Sequence, residues 1–210
     1  MVRTVLSRYC RVAPEAWQFV EDAHGRPDVL NGVAAASGIT FNISHSTGAI
    51  ACAVTRATTI GIDLESIARQ PLPLDVAMAH FSVAEVESLN TATVSAQAPL
   101  FFAYWTLKEA YLKAIGKGLS VPLNQLRFDL REQRHIHVSF DIPLADDSER
   151  WQFLLFRIFA EHLLAICVPR DAMTKNAVIV RKAIPLSTDQ IVDVELLRQS
   201  PALPVVSLQL

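Results

Sequence analysis

The stretch IGIDLES, residues 60–66, sets two carboxylates, Asp63 and Glu65, two positions apart inside an apolar run. On a β-strand alternate side chains leave the same face. Asp63 and Glu65 therefore project together, while Ile60, Ile62 and Leu64 point the other way. Two like charges side by side cost free energy unless a cation lies between them or water covers them. The strand asks for positive charge from elsewhere in the chain.

The chain has 210 residues, 51% of them hydrophobic, enough to core one large domain or two small lobes. A net charge of −2 gives no general attraction to nucleic acid or to a membrane surface, so an anionic ligand needs a local cluster of basic groups. Cys10, Cys52 and Cys167 are odd in number, far apart and set among apolar residues, which reads as buried thiols in a reducing compartment. No signal-peptide pattern opens the sequence, and no apolar run is long enough to span a bilayer. A cytoplasmic protein is expected.

Val2, Val5, Leu6 and Tyr9 recur at helical steps and predict a helix over 2–12. A loop with Gly25, Pro27 and Gly32 follows. Strand-like runs at 41–44, 49–55 and 60–65, joined by the short connections HSTG and RATT, predict an antiparallel meander. SVAE, residues 82–85, is a capping box in which Ser82 caps a helix and Glu85 reaches back to it; this helix should end near Asn90. Residues 100–115 are rich in helix formers and are stopped by Gly116. Further strands are predicted at 126–130, 136–140, 151–159 and 162–168, then a strand at 177–184 and a helix around 190–199. Helix followed by antiparallel strands thus occurs twice, without a residue-level repeat. The expected fold is α+β, with two similar lobes, 1–97 and 98–210, each packing helices on an antiparallel sheet.

The long helix reads FAYWTLKEAYLKAIGKGL, residues 102–119. Trp105, Lys108, Glu109, Leu112 and Lys113 fall at three- and four-residue steps, so one side mixes an aromatic, an acid and two amines. Alone, Glu109 and Lys113 make an ordinary surface pair worth ~0.2–0.5 kcal/mol. Together with Asp63 and Glu65 they suggest more. Three carboxylates from two segments are the hard oxygen ligands that Mg²⁺ prefers, and Mg²⁺ borrows phosphate oxygens to complete its octahedron. The nearby lysines would meet the remaining phosphate charge. No GxxxxGK[ST], GxGxxG, GxSxG or CxxC occurs, so a phosphate must be gripped by side chains.

FNISHS, residues 41–46, leaves His45 with two readings. It is either a core histidine on the face of Phe41 and Ile43, or a donor at the mouth of the HSTG turn beside the hydroxyls of Ser44 and Ser46. HGRP, residues 24–27, reads as a turn from which Arg26 can reach an anion. His135 and His137 share a strand face, yet without a third ligand nearby they read as exposed histidines.

FNISHS, then GIDLE, then WTLKEAYLKAIGKGL, in this order and at these distances, resembles the Sfp-type 4′-phosphopantetheinyl transferases. The resemblance covers about residues 2–168. It implies an enzyme that moves the phosphopantetheine arm of coenzyme A onto a serine of an acyl or peptidyl carrier protein, with Mg²⁺, releasing 3′,5′-ADP. Carried over by position, Asp63, Glu65 and Glu109 would be metal ligands. Arg26, Ser44, His45, Lys108 and Lys113 would meet the coenzyme, and Glu109 and Lys113 would serve catalysis. HGRP stands where the family has a Tyr-Gly-Lys-Pro-like loop beside the adenine, so His24 and Arg26 replace the usual tyrosine and lysine. Members usually carry a further N-terminal segment, which leaves two expectations: either the first lobe lacks its N-terminal strands, or the sequence begins at a late start codon. That departure leaves an alternative, a non-catalytic paralogue that binds coenzyme A or a carrier protein. Lys117, Leu119 and Val121 are the expected carrier-docking residues.

Overall fold

Residues 60–66 do contribute a strand, but not the third strand of a meander. The structure, a computed structural model, describes residues 1–22, 24–30, 32, 37–142, 144, 146–173 and 178–201. Strands β3 (Ile39–Ser46) and β4 (Ala49–Arg56) form the expected hairpin, in register from Ile39 opposite Arg56 to Ser46 opposite Ala49. Strand β5 (Gly61–Ser66) instead pairs antiparallel with β9 (His162–Pro169), with Asp63 opposite Ala165 and Glu65 opposite Leu163. The sheet continues through β8 (Trp151–Ile158) to β12 (Glu195–Gln199), in the order β12-β8-β9-β5. Burial explains the choice. Positions 61–64 of β5 and nearly all of β8 and β9 are buried, so their backbone groups must find partners within the interior, and β9 supplies them to β5. This sheet also crosses the expected division at residue 97, since β5 precedes that point and its partner strands follow it.

The other edge of β5 faces β3, and side chains close the gap. Asn42 Oδ1, Ser44 Oγ and Ser46 Oγ accept hydrogen bonds from the amides of Ile62, Leu64 and Ser66, each at 3.1 Å. Edge amides that would otherwise be buried unpaired are thereby satisfied.

Helix α1 (Val2–Leu6) is shorter than its periodicity suggests and ends once Leu6 is buried in a small core with Trp17 and Phe41. The predicted loop after it holds a hairpin of β1 (Phe19–Glu21) and β2 (Pro27–Val29). Helices α2 (Leu74–His80) and α3 (Val83–Thr91) follow β5, and α3 opens with the predicted Ser82–Glu85 capping box. Helix α4 (Val94–Ile115) begins six residues earlier than predicted, because the stretch before Leu100 has too few apolar residues to show a period. It ends as predicted at Gly116, whose φ of 67° is the left-handed value that glycine tolerates best.

Strands β6 (Leu126–Asp129) and β7 (His137–Phe140) form a hairpin. Near the end, β10 (Arg181–Ala183) and β11 (Asp189–Ile191) make another, and Ala177, where a strand was expected to start, lies outside the described residues. The predicted helix at 190–199 is instead the end of β11 and then β12, the latter drawn onto the apolar edge of β8 with an irregularity between Leu196 and Arg198. Among the described residues no helix is long and apolar enough to cross a membrane.

Helix α4 lies across β5 and β9, and Gly61 sets how closely. A Cβ at position 61 would sit 1.8 Å from the carbonyl oxygen of Ala110 and 2.5 Å from the amide nitrogen of Ala114. Only glycine lets the strand approach the helix backbone at that point. The approach brings the Asp63 and Glu65 strand against the turn of α4 that carries Glu109 and Lys113.

Candidate functional site

The positive charge that residues 60–66 ask for comes from α4. Lys113 Nζ lies 2.7 Å from Asp63 Oδ1 and donates to Ser44 Oγ at 3.0 Å. Ser44 donates to the same Asp63 oxygen at 2.8 Å, and Ser46 Oγ donates to Glu65 Oε2 at 3.2 Å. Asp63 is only 5% exposed, and its other oxygen, Oδ2, is buried without a hydrogen-bond partner among the described residues. An orphaned carboxylate oxygen is costly in a protein interior unless a donor or cation meets it.

The crowding of acids shows in their proton affinities. Burial pushes the Glu109 carboxyl up to about 7; Asp63 and Glu65 push the same way, against Lys113. Glu65 is also raised, by burial first and then by Asp63, against hydrogen bonds from Ser46 and Trp105 and the charge of Arg69. Among the described residues, no three His, Cys, Asp or Glu side chains stand close enough to hold a metal as they are placed. The donor set nevertheless fits a hard divalent cation. It is all carboxylate oxygen, one oxygen has no partner, and two of the three acids have proton affinities raised by burial first and by the acids beside them second.

A cleft of about 390 Å³ opens beside this cluster, and Arg26, Ser44, His45, Glu109 and Lys113 all line it. His24 of the HGRP turn lines it too. The turn is held by Asp22, whose Oδ1 accepts from the amides of His24 and Arg26. Arg26 reaches the end of α4 and donates to the carbonyls of Lys113, at 2.9 Å, and Ile60, at 3.4 Å. A guanidinium at a helix C-terminus is favoured by the dipole there and keeps its charge at the cleft wall. His45 is exposed rather than a core residue. It shares the face of Phe41 and Ile43, but the core ends before it. A larger groove of about 600 Å³ lies between α3 and the β6–β7 hairpin, and none of the candidate residues lines it. Chemistry, not size, selects the smaller cleft.

Lys108 must be withdrawn from the predicted phosphate-binding set. Its side chain is completely buried, with Nζ 2.9 Å from Glu85 Oε2. It also donates to the carbonyls of Leu123 and Leu126 and lies between the rings of Phe81 and Phe128. One step along a helix turns the side chain by 100°, so neighbours 108 and 109 leave α4 in different directions. Glu85 was legible only as a capping residue; in the fold it also accepts the amide of Phe128 and neutralises Lys108. Lys108→Met is therefore expected to cost about 3–5 kcal/mol by stranding a buried carboxylate. The double variant with Glu85→Gln should cost less than the single one in urea denaturation. A stable Lys108→Met chain that has lost coenzyme A binding would restore the original assignment.

Of the expected docking residues, Lys117 is exposed, Val121 is buried in the main core, and the side chain of Leu119 lies outside the described set. His135 and His137 both contact Glu132, at 2.7 and 2.9 Å, on an exposed surface. Gly61 and Asn42 were missed. The signal for both is the alignment of GxDxE with NxSxS, visible only once β3 and β5 are known to be neighbours.

The family model for the 4′-phosphopantetheinyl transferase superfamily matches residues 59–167, a span that holds Asp63, Glu65, Glu109 and Lys113. The chain is 32% identical over 167 residues to a 4′-phosphopantetheinyl transferase of Bacillus subtilis, covering 80% of this chain and 70% of that one. It is 28% identical over 180 residues to the 4′-phosphopantetheinyl transferase Sfp of Bacillus subtilis strain 168, covering 86% and 75%. It is 38% identical over 120 residues to the 4′-phosphopantetheinyl transferase HetI of a Nostoc species, covering 57% and 50%. Among solved structures, the holo-[acyl-carrier-protein] synthase of Thermotoga maritima superposes with a TM-score of 0.42 at 16% identity, over 66% of this chain and 84% of that one.

Proposed function

The chain belongs to the 4′-phosphopantetheinyl transferase superfamily and is an enzyme of that class, and from this premise we propose that it moves the phosphopantetheine arm of coenzyme A onto a serine of an acyl or peptidyl carrier protein, with Mg²⁺ as cofactor and 3′,5′-ADP as the leaving product. The observation that carries this reading is the cluster of Asp63, Ser44 and Lys113, in which Ser44 and Lys113 line a cleft together with Glu109 while Asp63 lies buried behind them.

In this reading the coenzyme lies in the cleft, with its phosphates toward Lys113, His45 and Arg26 and its adenine end toward His24. Lys113 is already desolvated on one side by Asp63 and Ser44, which fixes its ammonium where phosphate charge would lie. Asp63, Glu65 and Glu109 would hold the Mg²⁺ ion, which when bound supplies charge neutralisation at the pyrophosphate. The carrier serine Oγ forms a bond to the phosphorus that bears the pantetheine arm as the pyrophosphate P–O bond breaks, and 3′,5′-ADP leaves with the electron pair. Glu109 takes the serine proton through a water. Lys108 takes no part beyond holding α4 in place.

The test is to incubate the protein with coenzyme A, Mg²⁺ and apo carrier proteins and to weigh the carriers. A carrier heavier by one phosphopantetheine is the expected result; unmodified acyl and peptidyl carriers alike would overturn the reading. A second expectation concerns pH. An ion held by Glu109 displaces the proton that this residue otherwise keeps up to about 7. Apparent Mg²⁺ affinity in the presence of coenzyme A should therefore rise from about pH 6 to about pH 8. A pH-independent affinity would place Glu109 outside the ligand set.

A further inference from the structure

The side chains that join β3 to β5 differ in kind where β5 differs in kind. Asn42, Ser44 and Ser46 each accept one amide from β5, at Ile62, Leu64 and Ser66. The residues just before those amides are Gly61, Asp63 and Glu65. Where β5 has glycine, β3 offers a carboxamide; where β5 has a carboxylate, β3 offers a hydroxyl. Joining the strands alone does not call for this change, because a carboxamide oxygen accepts an amide as well as a hydroxyl does. A hydroxyl that has accepted the amide still has one proton to give. In Ser44 it goes to Asp63 Oδ1 at 2.8 Å, and in Ser46 to Glu65 Oε2 at 3.2 Å.

We propose that Ser46 is a positioning residue, which holds the Glu65 carboxylate in place for the divalent cation as Ser44 holds that of Asp63. Ser46 does not line the cleft, so it acts through Glu65 rather than on the coenzyme. Glu65 needs such a hold. It is the less buried of the two β5 acids, and no ammonium or guanidinium lies within salt-bridge distance of it among the described residues, whereas Asp63 has Lys113; Glu65 is left with the hydrogen bonds of Ser46 and Trp105 and the more distant charge of Arg69. The two serines therefore turn a strand junction into a rack that aims both carboxylates the same way. The inference rests on the reading of Asp63, Glu65 and Glu109 as a cation site.

The test uses the whole chain loaded with coenzyme A, with Mg²⁺ binding followed by calorimetry and the melting temperature followed alongside. Removing a group that orients a metal ligand commonly weakens metal affinity 10–100-fold. Ser46→Ala should lose roughly ten-fold in affinity, Ser46→Thr should restore it by returning a hydroxyl, and Ser46→Cys, with its weak thiol donor, should fall between. On a Glu65→Gln background, Ser46→Ala should have no further effect. In transfer assays, the loss in Ser46→Ala should be recovered by raising Mg²⁺. Wild-type affinity in Ser46→Ala, or in Ser46→Cys if the alanine variant does not fold, would overturn the proposal and leave the cation site standing. Losses that add in full with Glu65→Gln would do the same. A wild-type chain that binds no divalent ion would bring down the cation reading, and this inference with it.

Discussion

Gly61→Ala is expected to destabilise the chain by more than about 3 kcal/mol, at the upper end of what overpacking does. The reason is the identity of the obstacle. A new methyl would meet the backbone of Ala110 and Ala114 rather than the movable end of a side chain, so either β5 or α4 must shift as a body. Gly48→Ala is the control. Its φ of 77° disfavours a side chain, but nothing lies within 4 Å, so only the conformational penalty of about 1–2 kcal/mol applies. Chemical denaturation of the two variants side by side checks the contrast. Any Gly61→Ala protein that still folds should bind Mg²⁺ and coenzyme A poorly, because a strand pushed off α4 carries Asp63 and Glu65 away from Glu109 and Lys113. Wild-type stability in Gly61→Ala would mean that the strand and helix are not in backbone contact.

Glu109→Gln is expected to do two opposite things: reduce turnover by about 10²–10⁴-fold, the usual weight of a general base, and make the ion-free protein more stable. Folding raises the Glu109 carboxyl from 4.5 to about 7, so between those values the folded chain keeps a proton that the unfolded chain has released. Stability then falls as pH climbs through that window, and the deficit is fully present above about 7. Glutamine carries no charge and removes the deficit. The gain is at most ~3 kcal/mol, less where solvent screens the charge, and raises the melting temperature by a few degrees. Calorimetric melts in EDTA should show the variant ahead of wild type at pH 8 and level with it below pH 4.5. Equal melting temperatures at pH 8 would mean that neither burial nor the neighbouring acids raise the Glu109 carboxyl. A stabilising change that removes activity is the signature of a site held under electrostatic strain for function.

Both results turn on a boundary between local and distant causes. The common face of Asp63 and Glu65 follows from the two-residue period of a strand, and the Ser82–Glu85 cap and the Gly116 stop follow from helix ends that need donors and a left-handed residue. Each depends on residues within one turn or one strand, so the sequence by itself determined them, along with Glu109 and Lys113 as neighbours on one helix. What lies across from a face is a different matter. The partner of β5 is β9, about a hundred residues away, because the backbone groups of a buried strand must be paired by whichever element shares the interior with it. The same distant packing drew 195–199 into a strand. It also buried Lys108 against Glu85, a pair whose two halves read separately as a phosphate ligand and a helix cap. Periodicity states which way a side chain points, whereas burial and charge pairing depend on which elements share the interior. That is why the tertiary structure alone decided which lysine meets the acids and which one holds the core.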